Sequence, residues 1–167
     1  MLKNLELFQT NVYFFILKNI DNQKIKKYLS KIKLEEHRIF TSNSSGYHSQ
    51  IFFDPFPSCV DTLHKVIKKE LLKVKKDFKC KGELFPHSSW FMINKKNDFN
   101  KPYKHPPYTF KGMYYIECPK DSGDIIFNNQ MEMNNYNMSY ESLNKFNCKD
   151  FTVTPEKNLL LIFPAWL

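Results

Sequence analysis

The fold is decided by the stretch KPYKHPPYTFKGMYYIECPKDSGDIIF, residues Lys101 to Phe127. Short apolar runs rich in aromatic and β-branched residues alternate here with proline, glycine and aspartate, which is the pattern of strands joined by tight turns. We predict strands at Phe110 to Cys118 and Asp124 to Asn128, separated by a turn at Pro119 to Gly123. The C-terminal run LLLIFPAWL, Leu159 to Leu167, continues the pattern and predicts a further strand.

The same signals predict strands and loops on both sides of this stretch. The other predicted strands are Leu7 to Leu17, Ser88 to Asn94, Phe151 to Thr154 and Leu159 to Phe163, with turns at Lys95 to Asn100 and Pro155 to Asn158. Two polar intervals are predicted loops. Ser42 to Ser49 is an ordered loop that contains glycine, and Gln130 to Asn147 is a long loop or lid, a feature that in compact domains is functional or disordered.

Two amphipathic helices are predicted in the N-terminal half. Asp21 or Asn22 caps the first, which runs to about Lys33. Ser58 caps the second, which ends near Lys81 and Gly82, where glycine can adopt the left-handed conformation. The apolar residues at helical spacing are Ile25, Tyr28, Leu29 and Ile32 in the first helix and Val60, Leu63, Ile67, Leu71, Val74 and Phe78 in the second.

Helices followed by many regularly spaced strands predict an α+β fold, with a β-sandwich or jelly roll buttressed by helices on one side. The chain has 167 residues, of which 42% are hydrophobic and 16% aromatic, and we expect a single domain over residues 1–167. No run of about 18 apolar residues is present, and the patch Val12 to Leu17 is too short for a signal peptide. We therefore expect a soluble protein of the cytoplasm.

Four cysteines lie far apart in the chain without a CxxC pair. They are Cys59, Cys80, Cys118 and Cys148. This spacing favours neither a structural zinc site nor a disulfide framework, so we expect reduced and mostly buried thiols.

The formal net charge of +8 admits a second class of function, the binding of nucleic acid or another polyanion. Of the 25 basic residues only Arg38 is an arginine, so the guanidinium group that reads bases and clamps phosphates is nearly absent. Many of the lysines lie on the second predicted helix, where a solvated helix face explains them more simply.

The spacing of the histidines does not by itself define a metal site. His105 lies between prolines that keep the backbone extended, and a lone histidine there is more often structural than a ligand. His87, in FPHSSW, is by the same reasoning more often a structural histidine than a ligand. No acidic residue completes a facial-triad pattern near either histidine, and no ligand pairs in sequence with His37, His48 or His64. Spacing alone predicts an α+β domain with a jelly-roll-like half.

A series of motifs in order is more specific. They are LFQTNVY (Leu7 to Tyr13), SNSSGYHS (Ser42 to Ser49), WFMIN (Trp90 to Asn94), YKHP (Tyr103 to Pro106), KGMYYI (Lys111 to Ile116), PKDSGDIIF (Pro119 to Phe127) and PEKNLLLIFPAWL (Pro155 to Leu167). In this order the chain resembles a family of 2-oxoglutarate- and Fe(II)-dependent oxygenases found in bacteria and phages. Its members read LFPTPVY, SNxGGYQS, W-x-N, H-x-HP, SGVYYL, P-x-x-SG-x-I-x-F and P-x-x-G-x-L-x-LFPSWL-x-H. The resemblance covers nearly the whole chain. If a phage encodes the chain, we expect the protein in the host cytoplasm.

The resemblance implies a double-stranded β-helix, which is a cupin-like jelly roll, with N-terminal helices buttressing one sheet. It implies Fe(II) in a facial triad, 2-oxoglutarate and dioxygen as co-substrates, and hydroxylation of an unidentified primary substrate. By position His105 matches the second histidine of H-x-HP, and Tyr103 stands where the first would be. Asn94, Tyr115 and Trp90 are candidate cofactor-binding residues, and packing in an aromatic core is the alternative for the two aromatic ones.

Two departures from the family pattern predict an incomplete metal site. A phenol must lose a proton with a pKa near 10 to bind metal well, so Tyr103 is predicted to be a weaker ligand than imidazole. The distal histidine and the basic residue that holds the far carboxylate of 2-oxoglutarate would both follow Leu167. Arg38, in the N-terminal half, does not replace that basic residue. We therefore expect a truncated dioxygenase domain or, as the alternative, a non-catalytic jelly-roll binding module, either a degenerate oxygenase or a basic protein associated with nucleic acid or virions.

Overall fold

The computed structural model describes residues 8–35, 37–39, 42–53, 55–130, 139–145 and 147–167. Within these ranges the chain forms two helices and nine strands. In chain order they are β1 (Tyr13–Ile16), α1 (Asn22–Glu35), β2 (Tyr47–His48), β3 (Phe52–Phe53), α2 (Ser58–Phe78), β4 (Ser88–Ser89), β5 (Met92–Ile93), β6 (Phe110–Tyr114), β7 (Ile125–Asn128), β8 (Asp150–Val153) and β9 (Leu159–Pro164). The predicted α+β class is confirmed.

The first helix agrees with its prediction. The Asp21 side chain accepts a hydrogen bond from the Lys24 backbone N–H at 2.9 Å, which is the N-cap contact. Ile25, Leu29 and Ile32 are buried along one face of α1. Helix formation here follows from apolar residues at helical spacing together with the hydrogen bond that caps the first turn.

The second helix forms as predicted, but both of its predicted ends are wrong. Ser58 is its first residue, Pro57 occupies the N-cap position, and no side chain caps it. The C-terminal left-handed residue is Lys79, with φ 51°, rather than Gly82. The Lys79 N–H donates to Lys76 O at 3.3 Å and the Cys80 N–H to Lys75 O at 3.2 Å. This is the Schellman arrangement, whose two hydrogen bonds offset the strain of a left-handed lysine.

The chain divides into two compact units. One consists of the residues up to Phe14 together with Lys104–Leu167, and the other is Phe15–Tyr103. We call them the strand unit and the helix unit, because the first contains β6 to β9 and the second contains both helices. The single domain expected from the sequence stays a prediction.

In the helix unit, β2 pairs with β5 and β3 pairs with β4, both antiparallel, and a bulge separates the two pairs. The paired residues are Tyr47 with Ile93, His48 with Met92, Phe52 with Ser89 and Phe53 with Ser88. Between these pairs lie three residues on one side, 49–51, and two on the other, 90 and 91. The extra residue is a β-bulge. It divides the predicted strand Ser88 to Asn94 into β4 and β5, and the predicted loop Ser42 to Ser49 contains β2.

The strand unit is built in two layers. Strands β1, β9 and β6 form one sheet in that order, and β7 and β8 form an antiparallel hairpin. A core cluster lies between the layers, and the rings of Phe127 and Phe163 meet in it edge to face with centroids 4.9 Å apart. Its buried members are Phe127, Val153, Leu159, Leu161 and Phe163, with Val12, Met113, Tyr115, Ile125 and Leu167 packed against them.

Strand β9 is buried on both faces. All six of its residues are buried, and Leu160, Leu161 and Ile162 are at most 1% exposed. A continuous apolar run is expected of a strand flanked on both edges and covered on both sides. Among the described residues the strands form four small sheets and no closed barrel, so the double-stranded β-helix stays a prediction.

Two predicted segments extend outside the described residues. The strand predicted at Leu7 to Leu17 begins with a residue, Leu7, that lies outside the described residues, and β1 begins only at Tyr13. Residues 131–138 and 146 of the predicted loop Gln130 to Asn147 also lie outside, and residues 139–145 contain neither helix nor strand.

In the part of the chain that the structure describes, no helix is long and apolar enough to cross a bilayer. The four cysteines form no disulfide; Cys59 is buried and the other three are partly buried.

We predict that Leu161→Ala lowers the free energy of unfolding by about 2–5 kcal/mol, because it leaves a cavity in the most buried strand. Leu143→Ala is the matched control, since Leu143 is 72% exposed, and it should change stability by less than about 0.5 kcal/mol. Urea unfolding of both variants measures the difference. Equal effects of the two substitutions would contradict the central position of β9.

Candidate functional site

His105 lies at one end of the sheet formed by β6 and β9. Its backbone N–H donates to the carbonyl of Ala165 at 3.0 Å, and the Ala165 N–H donates to Thr109 O at 3.0 Å. These bonds extend the pairing of β6 with β9 past its last paired residues, Phe110 and Pro164. The Nε2 atom of His105 is shielded from solvent. The fold therefore fixes the backbone of His105 at a defined strand end.

Tyr103, the other predicted ligand, belongs to the helix unit. Burial raises the pKa of its phenol above the usual 10. Only the phenolate binds a metal strongly, so this environment disfavours the ligand form.

The described residues contain no group of three or more His, Cys, Asp or Glu side chains placed to hold a metal ion. Three of the other histidines pack against rings instead. His48 stacks on Trp90 with centroids 5.9 Å apart, His64 lies edge-on to Phe56 at 4.0 Å, and His87 lies edge-on to Phe53 at 5.8 Å. Such contacts are those of packed aromatic side chains.

Asn94 takes part in a polar junction between two of the sequence motifs. Its side-chain oxygen accepts a hydrogen bond from the Asn43 amide at 2.7 Å. Gly46 approaches so closely that a Cβ there would lie 2.3 Å from the same oxygen. The motifs SNSSGYHS and WFMIN are therefore joined through a contact that tolerates no side chain at Gly46.

A second pair of contacts joins the same motifs at the bulge. The Ser49 N–H donates to Phe91 O at 3.0 Å, and the Phe91 N–H donates to the Ser49 hydroxyl at 3.0 Å. A side-chain oxygen thus takes the place of a backbone carbonyl in the ladder. Trp90, which directly precedes Phe91, stacks on His48.

Tyr115 is placed in the strand unit, packed against the core cluster. Its N–H donates to Leu159 O at 2.9 Å and its carbonyl accepts from the Asn158 N–H at 2.8 Å. Trp166, another aromatic residue of the motifs, is 50% exposed. Of the predicted site residues, the structure places Asn94, Trp90 and Tyr103 in the helix unit and His105 and Tyr115 in the strand unit.

Lys111 is a titratable residue that the sequence-based prediction missed. It lies in β6 opposite Phe163 of β9, and it alternates with Met113 and Tyr115, which pack against the core cluster. Its side chain therefore leaves the sheet on the interior face. Burial lowers the pKa of its ammonium group from 10.5 to about 7. The alternation K-G-M-Y-Y was the available signal, because it places a lysine on the same strand face as two core residues.

Comparison with known families bears on the strand pattern described above. A family model described as "Putative 2OG-Fe(II) oxygenase" matches residues 88–167. This region, just under half of the chain, is similar to that family. The match begins at β4 and includes every later strand, whereas both helices and the motifs LFQTNVY and SNSSGYHS lie before it. No match was found among curated proteins or among solved structures.

The resemblance to 2-oxoglutarate- and Fe(II)-dependent oxygenases is thus confirmed. The family implies Fe(II) and 2-oxoglutarate as cofactor and co-substrate, with dioxygen as the second co-substrate. A facial triad needs three ligand side chains, and the part of the chain that the structure describes contains no group of three or more His, Cys, Asp or Glu side chains placed to hold a metal ion. The similarity to the family extends over the strands and turns of residues 88–167, and a complete iron site does not follow from it.

We predict that Gly46→Ala destabilises the protein by about 1–3 kcal/mol, because the new methyl group would displace the Asn94 side chain and the Ile93 carbonyl. Gly82→Ala is the control, since no heavy atom lies within 4 Å of a Cβ built there. It should be neutral or stabilising by up to about 1 kcal/mol. Urea unfolding measures both, and a neutral Gly46→Ala would refute the close approach.

We predict that Lys111 lowers the free energy of unfolding by an amount that depends on pH. Its pKa is about 7 in the folded chain and near 10.5 when unfolded, so between these values the unfolded state binds more protons and stability rises with pH. This loss of stability is largest below about pH 7 and disappears towards about pH 10. Lys111→Met should therefore be more stable than the parent at low pH, with the difference shrinking as pH rises.

Urea unfolding of the parent, Lys111→Met and Lys120→Met across this pH range measures the effect. Lys120 is an exposed residue of the turn between β6 and β7, so Lys120→Met should follow the parent. A difference between parent and Lys111→Met that stays constant with pH would show that the ammonium group is solvated.

Proposed function

We propose that the chain is a 2-oxoglutarate- and Fe(II)-dependent dioxygenase domain of the hydroxylase type, with an incomplete metal site among its described residues. The observation that carries the proposal is the family match over residues 88–167, which coincides with the strands that hold His105. His105 would be one metal ligand. The remaining ligands would come from outside the described residues, and the iron chemistry would be available only once they are present.

The two layers of the strand unit support the further proposal that the fold is a double-stranded β-helix. Its sheet β1-β9-β6 and its hairpin β7-β8 enclose one apolar cluster, which is the arrangement of two packed sheets in a jelly roll. In that fold the N-terminal helices would buttress one sheet, and residues 1–167 would form a single domain. We propose a cytoplasmic location.

The cofactor-binding role of Asn94, Trp90 and Tyr115 stays a prediction. The contacts in the structure favour positioning roles for these residues. Asn94 bonds to Asn43, Trp90 stacks on His48, and Tyr115 packs in the core cluster. A metal-binding role for Tyr103 is disfavoured by the raised pKa of its phenol.

A non-catalytic binding module is the second candidate function. It is favoured by the lack of a three-ligand cluster in the described part of the chain. The net charge of +8 would then direct the module towards polyanions. Several lysines of α2 are engaged in ion pairs, Lys65 with Asp61, Lys68 with Glu83 and Lys73 with Glu70, which reduces the positive charge of that helix face.

We predict that Mn(II) and 2-oxoglutarate together raise the melting temperature of a version of the chain extended after Leu167 to a family-like end carrying a histidine. Ligands that bind only the folded state stabilise it, by an amount that grows with the logarithm of the ligand concentration relative to Kd. His105→Ala should abolish the shift, because it removes one of the metal ligands. His87→Ala is the control, since His87 packs on Phe53 and should leave the shift unchanged.

The unextended chain and heparin complete the thermal-shift experiment. The chain as it stands should respond weakly or not at all to metal plus 2-oxoglutarate. No response of the extended version would contradict the dioxygenase proposal. Stabilisation by heparin that falls steeply with added salt would favour the polyanion-binding alternative.

A further inference from the structure

We propose that the helix unit binds single-stranded nucleic acid, with lysines of α2 contacting phosphates and the exposed rings of Phe53 and Phe85 stacking on bases. The proposal rests on the polyanion-binding candidate function and deepens it, because it names the polyanion and the side chains that contact it. Two observations carry it, the distribution of charge between the two units and the position of the two rings.

The positive charge of the chain lies entirely in the sequence of the helix unit. Residues 15–103 contain 18 lysine and arginine residues and nine aspartate and glutamate residues, a formal net charge of +9. Residues 1–14 and 104–167 contain seven basic and eight acidic residues, a formal net charge of −1. A charge that is confined to one compact unit attracts a polyanion to that unit.

Three lysines form a stripe along the outer face of α2. Lys65, Lys69 and Lys76 are all exposed and occupy positions i, i+4 and i+11 of the helix. This spacing keeps them on one side of the helix, opposite the buried residues Leu71 and Val74. At about 1.5 Å per residue the lysine stripe is about 16 Å long. It can therefore contact several successive phosphates of one strand.

The ion pairs of α2 leave the lysine stripe available to phosphate. Lys65 pairs with Asp61 at 2.7 Å, and the side chain of this lysine is 74% exposed. A surface pair of this kind contributes little, because water screens both charges. In the part of the chain that the structure describes, Lys69 and Lys76 take part in no ion pair. A phosphate can therefore replace the carboxylate at Lys65 and meets no competing carboxylate at the other two.

Two exposed aromatic rings lie close to the lysine stripe. Phe53 is 54% exposed and Phe85 is 59% exposed. The Glu83 carboxylate contacts the Lys68 ammonium at 3.5 Å, and Lys68 directly precedes a member of the stripe. The backbone of Phe85, two residues after Glu83, lies within about 7 Å of the Glu83 backbone. His87, two residues further on, meets the Phe53 ring edge to face at 5.8 Å. The segment that folds back against α2 thus carries one ring and leads to the other.

The combination of charge with exposed rings selects a single strand of nucleic acid. Lysine can contact the phosphates of a duplex equally well, but an aromatic ring stacks on bases that are unpaired and uncovered. The single arginine of the chain, Arg38, donates to the carbonyls of Ser44 and Ser45 at 3.2 Å and 2.8 Å. Base reading by a guanidinium group is therefore not expected, and binding should tolerate any sequence.

The composition of the outer face of α2 favours nucleic acid over a membrane surface. From Lys65 to Lys76 the exposed residues of the helix are lysines, apart from Leu72. A helix that binds in a membrane interface has a broad apolar face beside its charges. The face with the lysine stripe lacks that apolar area, whereas phosphates need only the charges.

Fluorescence anisotropy with labelled oligo(dT) and oligo(U) of about 20 nucleotides, longer than the usual site of a single-strand-binding domain, measures binding in buffer that contains EDTA. The parent protein should bind at low salt. The triple variant Lys65→Gln, Lys69→Gln and Lys76→Gln should bind at least tenfold more weakly. Each phosphate contact with a single strand contributes about 0.7 to the slope of log affinity against log salt. The triple variant should therefore reduce the magnitude of this slope by about 2.

The matched control changes three exposed lysines of the strand unit, Lys120, Lys149 and Lys157, to glutamine. It alters the net charge of the chain by the same amount and should leave both affinity and slope near the parent values. Circular dichroism confirms that both triple variants are folded, which is expected because every substituted side chain is exposed. Equal losses of affinity in the two triple variants would overturn the proposal, because binding would then follow net charge alone.

Phe85→Ala tests the contribution of the rings. It should weaken binding of the single strand about fivefold or more, because it removes one base-stacking contact, and it should leave the salt slope unchanged. Phe151→Ala is the control, since Phe151 is also 59% exposed but lies in the strand unit. The parent should bind a duplex of the same length more weakly than the single strand, and Phe85→Ala should remove that preference.

Several results would overturn the proposal. They are no binding of oligo(dT) or oligo(U), equal affinity of the parent for duplex and single strand, and an unchanged affinity of Phe85→Ala. Binding to phosphatidylserine vesicles without binding to either oligonucleotide would assign the basic face to a membrane surface instead. Binding of either oligonucleotide with the expected responses of both variants would support the proposal, and the tighter of the two would identify DNA or RNA as the partner.

The outcome can be distinguished from failure of the proposed functions. Stabilisation by heparin without binding of either oligonucleotide would keep the polyanion-binding candidate and overturn the single-strand site. Oligonucleotide binding in EDTA, combined with no response of the extended version to Mn(II) and 2-oxoglutarate, would support the site and contradict the dioxygenase proposal. A response to metal and 2-oxoglutarate without oligonucleotide binding would do the reverse.

Discussion

The strand unit depends on the burial of β9 on both faces. This strand has no polar side chain, and its neighbours β1 and β6 satisfy its backbone on both edges. One face contributes Leu159, Leu161 and Phe163 to the core cluster, which the hairpin β7-β8 covers from the other side. The segment that carries His105 and the strand that carries Lys111 are both paired with β9. The backbone positions of His105 and Lys111 thus follow from one fully apolar run.

Elements governed by hydrophobic periodicity could be predicted from the sequence, and those governed by individual hydrogen bonds could not. Helices α1 and α2 and strands β6 to β9 follow from apolar spacing and turn residues. The bulge between β2 and β3 depends on the Ser49 hydroxyl replacing a backbone acceptor for Phe91. The end of α2 depends on backbone bonds to Lys79 and Cys80 that outweigh the preference for glycine. Neither of these hydrogen-bond patterns can be recognised from the residue types alone.

The candidate site shows the same division. The motif order predicted the family correctly, because it follows the strands and turns of residues 88–167. It could not distinguish residues that bind a ligand from residues that hold the fold, since both occur in the same motifs. Asn94 and Gly46 belong to different motifs and meet in one contact, so their co-occurrence has a structural cause. Lys111, in contrast, was open to prediction from the alternation of β6.

A match to the strand pattern of a family and the presence of that family's metal ligands are separate properties of a sequence, for a physical reason. Strand pairing and core packing require apolar side chains over long stretches, so they account for most of a sequence match. A facial triad requires only three side chains, and its loss removes metal affinity without disturbing the core. The match over residues 88–167 therefore follows the strands packed around β9, and it does not by itself supply the side chains that would hold iron beside His105.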